Sequence, residues 1–117
     1  MHEYGLCEGV LGAVRQRAAG RPVAWVRVRA GVRQGVSVES MAQAFEVVAA
    51  GTEAAGAIVD LVIVPADLHC DSCGTNASTL DALAVCPGCG SDDVTLTGGD
   101  ELTLESIGYA TTAATPP

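Results

Sequence analysis

Two groups of residues in this chain have the types and spacing to hold a metal ion. The first is Cys70-Asp71-Ser72-Cys73-Gly74 followed by Cys86-Pro87-Gly88-Cys89-Gly90, with twelve residues between the two cysteine pairs. Each pair can bend its backbone around one ion, and the glycine after each second cysteine permits the tight turn. Two such knuckles bring four thiolates into a tetrahedron, the preferred environment of structural Zn(II). Four protein ligands leave no place for water, so the site is expected to be structural rather than catalytic. Iron in a rubredoxin-like site is the competing reading, and a redox dithiol is a third. His69, beside Cys70, is a spare ligand position or a plain surface residue.

The second group is Met1-His2-Glu3-Tyr4. The amine of Met1, the amide nitrogen between Met1 and His2, and the His2 imidazole can all reach one ion. Such a nitrogen-rich, tetragonal set suits Ni(II) or Cu(II) better than Zn(II). Taken alone, these residues are better explained as a frayed terminus. No triad or acid–base pair is visible, and His69 is the only other histidine. An enzyme is therefore not expected.

The elements that must position these residues can be read from periodicity. Residues 4 to 19 carry Leu6, Val10, Leu11, Val14 and Ala18 at helical spacing. Cys7 falls beside that stripe as a small hydrophobe. Residues 23 to 32 alternate, with Ala24, Val26, Val28, Ala30 and Val32 on one face and Trp25, Arg27 and Arg29 on the other. Gly31 to Gly35 reads as a loop. Ser37 is a plausible N-cap for a second helix, with Glu39 in its first turn and Val38, Met41, Ala42, Phe45, Val48 and Ala49 as its stripe. Residues 57 to 65 form a second strand, apolar enough to sit centrally in a sheet. A last strand runs from Glu101 to Ile107. Arg27 and Arg29 are expected to pair with Asp60 and Glu105 across the sheet.

These elements predict an α+β fold, two helices packed on a three-stranded sheet, with an inserted zinc-ribbon subdomain. The expected division is residues 1–66 plus 100–109 for the α+β domain, 67–99 for the zinc-binding domain, and 110–117 for a flexible tail. The insert has no evident apolar periodicity and is not expected to fold on a core of its own; zinc would supply that energy.

The chain has 117 residues and a formal net charge of −8, and all six positive charges are arginine. Binding nucleic acid needs a basic face to neutralise phosphates, which this balance does not offer. No stretch reaches the roughly 20 apolar residues of a membrane span. No basic segment followed by an apolar run marks a signal peptide, so a cytoplasmic setting is expected. In that setting, the five cysteines point to metal or free thiol rather than disulfides.

Four features together resemble the HypA/HybF family of nickel-incorporation accessory proteins. They are Met1-His2-Glu3-Tyr4, Ala44-Phe45-Glu46 in the second helix, the two cysteine pairs, and Gly99-Asp100-Glu101-Leu102 leading into the last strand. The match is colinear over residues 1 to about 108. The resemblance implies a metallochaperone with Ni(II) as transient cargo at His2 and Glu3, and structural Zn(II) on Cys70, Cys73, Cys86 and Cys89. It also implies a HypB-type GTPase partner and delivery to the hydrogenase large subunit, with urease a client of some members. The expected assembly is a monomer or weak homodimer. One departure concerns the acidic residue that some members offer near the nickel at the start of the second helix. Here Ser37 stands at that point, with Glu39 two residues on. A zinc-ribbon interaction module without nickel is the alternative; it explains the cysteines and leaves His2 and Glu3 idle.

Overall fold

The computed structural model describes residues 2–110 and 116. The element order is α1 (His2–Ala18), β1 (Val23–Gly31), a 3-10 turn (Val32–Gln34), α2 (Val38–Ala49), β2 (Ile58–Val64), β3 (Ala66–Cys70), β4 (Asn76–Thr79), β5 (Val94–Thr97) and β6 (Leu102–Tyr109). The strands form two three-stranded sheets, ordered β2-β1-β6 and β4-β3-β5. Two helices and the first sheet make the expected α+β core, and the second sheet lies in the expected insert. Among the described residues, no helix is long and apolar enough to cross a membrane.

Helix α1 starts at His2, two residues earlier than its apolar stripe predicts, and it buries Cys7, Val10, Val14 and Ala18. Cys7 is therefore on the stripe, not beside it, while Leu6 and Leu11 are only half-buried. Glu3 in the first turn and Arg15 and Arg17 in the last complement the helix dipole. Helix α2 opens on a capping box. The Ser40 amide donates to Ser37 Oγ at 3.1 Å, and the Ser37 amide donates to Ser40 Oγ at 3.1 Å. Its buried face is Met41, Ala44, Phe45 and Ala49. Val38 and Ala42, expected inside, are exposed, because Ala44 takes the inward position between Met41 and Phe45.

Strand β1, not β2, is central in its sheet. Apolar content misleads here. No residue of β2 is fully buried, whereas Val26, Val28 and Ala30 of β1 are completely so. The other face of β1 carries the expected ion pairs. Arg27 Nε lies 2.5 Å from Asp60 Oδ2 and 3.8 Å from Glu105, and Arg29 Nη1 lies 3.5 Å from Glu105 Oε1. Part-exposed pairs of this kind contribute a few tenths of a kcal/mol to about 1 kcal/mol each. Trp25 shares that face by alternation, yet it is only 6% exposed. It packs where Gly108 of β6 has no side chain; a β-carbon at Gly108 would overlap the indole.

The insert was expected to lack a core pattern. Strand β3 instead alternates buried and exposed residues, with Ala66, Leu68 and Cys70 inward. It pairs antiparallel with β4, setting Leu68 against Ala77, and with β5, setting Leu68 against Leu96. The loop expected at residues 31–35 tightens into the 3-10 turn, ending on Gly35 at φ 68°. The Arg33 amide donates to Gly99 O at 2.7 Å, and the Gly31 amide to Glu101 O at 2.7 Å.

The chain divides into two compact units. One is Met1–Arg29, Val36–Val62 and Thr103–Pro117; the other is Ala30–Gly35 and Ile63–Leu102. The second unit thus takes in the 31–35 turn through the hydrogen bonds just described. Of the tail expected at 110–117, residues 111–115 and 117 lie outside the described residues.

Two glycines give opposite expectations. Gly108→Ala should destabilise the first unit by roughly 1–3 kcal/mol, because the indole it strikes is buried. Gly12→Ala, on an exposed helix position with nothing within 4 Å, should stabilise it by about 0.5–1 kcal/mol. Urea unfolding followed by fluorescence of Trp25, the only tryptophan, measures both. A neutral Gly108→Ala would contradict the packing described for Trp25.

Candidate metal centre

The two cysteine pairs fold as copies of one local structure, sixteen residues apart. In the first, the Cys70 amide donates to Thr75 O at 2.9 Å and the Gly74 amide to Cys70 O at 2.9 Å. In the second, the Cys86 amide donates to Ser91 O at 2.8 Å and the Gly90 amide to Cys86 O at 2.9 Å. Gly74 and Gly90 take φ of 80° and 77°, the left-handed conformation that the sequence demands after each second cysteine. The first cysteine of each pair is buried, at 0% and 2% exposure for Cys70 and Cys86. Cys73 and Cys89 are exposed.

The turns aim their sulfurs at one another. Cys70 Sγ and Cys89 Sγ are 3.7 Å apart, and Cys73 Sγ and Cys86 Sγ are 3.6 Å apart. All four sulfurs lie within 4.8 Å of each other. A tetrahedral ion with metal–sulfur bonds of about 2.3 Å requires sulfurs about 3.8 Å apart, so the residues present fit Zn(II). The same distances are far beyond the roughly 2.05 Å of a disulfide.

Backbone amides point into the cluster, which favours thiolate over thiol. The Cys73 amide approaches Cys70 Sγ at 3.4 Å, and the Gly88 and Cys89 amides approach Cys86 Sγ at 3.3 and 3.4 Å. The Cys89 amide is the main reason the Cys86 thiol is drawn down to about 6, with the Gly88 amide adding to it. The Thr75 hydroxyl, 3.0 Å from Cys73 Sγ, and then the Thr75 amide lower Cys73. Cys89 goes the other way. The Ser91 amide lowers it, but the sulfurs of Cys73 and Cys70 outweigh that and push it up to about 12. Four sulfurs this close cannot all ionise unaided, and a divalent cation is what allows it.

The Cys-x-x-Cys spacing does not by itself mark Thr75 and Ser91. The available signal is their shared place, two residues after the second cysteine of each pair. His69 stays outside the cluster. Its Nδ1 is 2.8 Å from Asn76 Oδ1, and its Nε2 is 3.9 Å from Asp71 Oδ1.

His2 and Glu3 lie in the first turn of α1, His2 exposed and Glu3 half-buried. Its own backbone amide holds the Glu3 carboxyl below the usual carboxylate range. Met1 is outside the described residues. Among the described residues, the four cysteines are the only cluster of three or more His, Cys, Asp or Glu side chains with metal-binding spacing. His2, Glu3 and Glu39 are not brought into such a cluster. Ser37 Oγ is committed to the α2 cap, and Glu39 is exposed in that helix's first turn. Cys7 is fully buried, with Sγ 3.5 Å from Met41 O and 3.9 Å from Met41 Sδ. Burial first, and the Glu3 charge second, push its thiol up to about 11. A neutral, enclosed thiol of this kind is a core residue rather than a ligand.

Known proteins resemble this chain in both sequence and fold. Residues 1–109 match the family described as "Hydrogenase/urease nickel incorporation, metallochaperone, hypA". The chain is 34% identical over 110 residues to hydrogenase maturation factor HypA 2 of Bradyrhizobium diazoefficiens, covering 92% of this chain and 97% of that one. It is equally similar, 34% over 110 residues with the same coverage, to hydrogenase maturation factor HypA of Alkalilimnicola ehrlichii. The solution structure of the Ni metallochaperone HypA from Helicobacter pylori superposes with a TM-score of 0.58 at 27% identity, over 93% of this chain and 97% of that one. The expected resemblance is thus met along nearly the whole chain, which belongs to the HypA family of nickel-incorporation metallochaperones.

Proposed function

We propose that this chain takes up Ni(II) at its N-terminus through His2, Glu3 and neighbouring backbone nitrogen, and releases it for assembly of the [NiFe]-hydrogenase active site. In this reading Cys70, Cys73, Cys86 and Cys89 hold Zn(II) as a structural ion. The first compact unit is the nickel-binding domain and the second the zinc-binding domain. The proposed partners are a HypB-type GTPase and the hydrogenase large subunit, with urease a further client, in the cytoplasm.

The observation that carries the reading is a chain of this family whose four cysteines converge on each other and leave His2 and Glu3 outside that cluster. Two donor sets of different chemistry remain separate. Sulfur in a closed tetrahedron suits zinc; imidazole, amide and carboxylate suit nickel. The zinc ion supplies charge and cross-linking to the second unit and no chemistry.

Placement at a helix start supports the nickel role. The first amides of a helix have no intrahelical acceptor. The His2 amide can therefore lose its proton to a metal without breaking the helix. The positive end of the helix dipole opposes a cation by about 0.3–1 kcal/mol. The ionised Glu3 carboxylate, in the same turn, offsets that. The balance suits a carrier, which must bind its ion and then surrender it. Gly5, Gly9 and Gly12 each lower helix propensity by about 1 kcal/mol relative to alanine, so the turn that holds the cargo is soft.

Two outcomes test the assignment of metals. Cys73→Ser combined with Cys86→Ser should release zinc and unfold the second unit, since a structural zinc site contributes on the order of 10 kcal/mol to such a segment. Zinc content by mass spectrometry and circular dichroism measure this; zinc retained by the double variant contradicts the site. His2→Ala, or one extra residue before Met1, should abolish nickel binding and leave zinc in place. In the native chain, nickel affinity should rise with pH, because amide and imidazole must be unprotonated to bind. Calorimetric titration with Ni(II) reads each case, and nickel binding that survives both N-terminal changes sinks the reading.

A further inference from the structure

The connection between the two knuckles carries an apolar ridge that the metal sites do not use. Leu80, Leu83 and Val85 are 65%, 89% and 51% exposed, so three of the largest exposed apolar side chains fall within six residues. The ridge is held in place. The Ala84 amide donates to Asp81 O at 3.2 Å, closing a turn. The Leu83 amide donates to Asp81 Oδ1 at 2.9 Å, and the Asp81 amide to Thr79 Oγ1 at 3.0 Å. A turn bonded in this way presents Leu83 to solvent rather than letting it fold inward. A groove lined by Ile63, Pro65, Ser78, Thr79 and Leu80 adjoins it. Clustered exposed apolar residues on a small unit mark an interaction surface.

Charge identifies the occupant. Between Ile63 and Leu102 there are seven acidic side chains and no lysine or arginine. The only lysine or arginine of this unit is Arg33, whose Nη1 donates to Gly98 O at 3.3 Å. Asp81 stands in the ridge itself, and Asp67 lies opposite Ser78, two residues before Leu80. An anionic lipid surface or nucleic acid would be repelled, and a second copy of this unit would bring like charge against like. A cationic partner with an apolar face satisfies both features.

We propose that the Leu80–Val85 ridge is a docking surface for a basic amphipathic helix of a partner protein, with leucines in the partner's apolar stripe and with Asp81, Asp67 and the acidic charge of the unit attracting its lysines or arginines. This surface is independent of the nickel assignment and stands or falls on its own residues.

The test uses the zinc-loaded full chain and a dye-labelled synthetic helix of about 18 residues built from Lys and Leu at amphipathic spacing. Fluorescence anisotropy should show binding that weakens with added salt. A matched Glu/Leu helix should not bind. L80S/L83S should lower affinity for the Lys/Leu helix by about tenfold or more with zinc content unchanged. Val47→Ser, an exposed apolar position on α2 of the other unit, should leave it within about twofold. The proposal is overturned if L80S/L83S binds like the native chain, or if the Glu/Leu helix binds equally well. Leucine-dependent binding to phosphatidylcholine vesicles, or leucine-dependent self-association in sedimentation, would overturn it too, since each would give the ridge a different occupant.

Discussion

The second unit depends on four sulfurs meeting at one point. From Ile63 to Leu102, only Ala66, Leu68, Cys70 and Cys86 are fully buried apolar residues. Two of these four are themselves members of the cluster. Burying so little apolar surface cannot offset the entropy of ordering about forty residues, which costs roughly 1–2 kcal/mol each for the backbone alone. A metal bound by four cysteines contributes folding energy outright. The structure prepares for it with duplicated turns and with amides directed at Cys70 and Cys86. Negative charge makes the need sharper. The unit is already strongly acidic before any thiolate forms, so an unmetallated cluster faces repulsion from within and around it.

The first unit works by a different balance. Its core is made of small and branched side chains from α1, α2 and β1, with Phe45 and Met41 the largest fully buried. On the outer sheet face, Arg27 bridges Asp60 and Glu105, and its guanidinium lies 5.7 Å from the Trp25 ring. That side of the unit is fixed. At the other extreme stands the first turn of α1, where glycine lowers the helical preference and His2 is exposed. A sulfur cluster in one unit and a yielding helix start in the other match the proposed roles, in which one ion stays and another leaves.

Much of this was legible in the sequence, for physical reasons that can be named. Knuckle geometry follows from Cys-x-x-Cys-Gly because so few backbone paths return two sulfurs to one point. Ser37 read as a cap because its hydroxyl competes for amides that the helix start leaves open. The pairing of Arg27 and Arg29 with Asp60 and Glu105 followed from strand alternation. Other features were hidden. Strand order could not be taken from apolar content: β1, with two arginines, is central because it pairs on both edges, and its arginines meet Asp60 of β2 and Glu105 of β6. Trp25 is buried because of Gly108, eighty-three residues away in sequence. The alternation Ala66-Asp67-Leu68-His69-Cys70 was present in the sequence and marks β3, but it is short and ends in a ligand, so it reads as part of the knuckle. The roles of Thr75 and Ser91 emerge only when the two knuckles are compared.

In the proposed function two metals are sorted by ligand chemistry within one chain, sulfur for zinc and nitrogen with oxygen for nickel. X-ray absorption at both edges, on the chain loaded with one equivalent of each ion, tests this most directly. Sorting by ligand chemistry should give four sulfur scatterers at about 2.3 Å around zinc and only nitrogen and oxygen scatterers around nickel. Sulfur in the nickel shell, or nitrogen replacing sulfur around zinc, would contradict it.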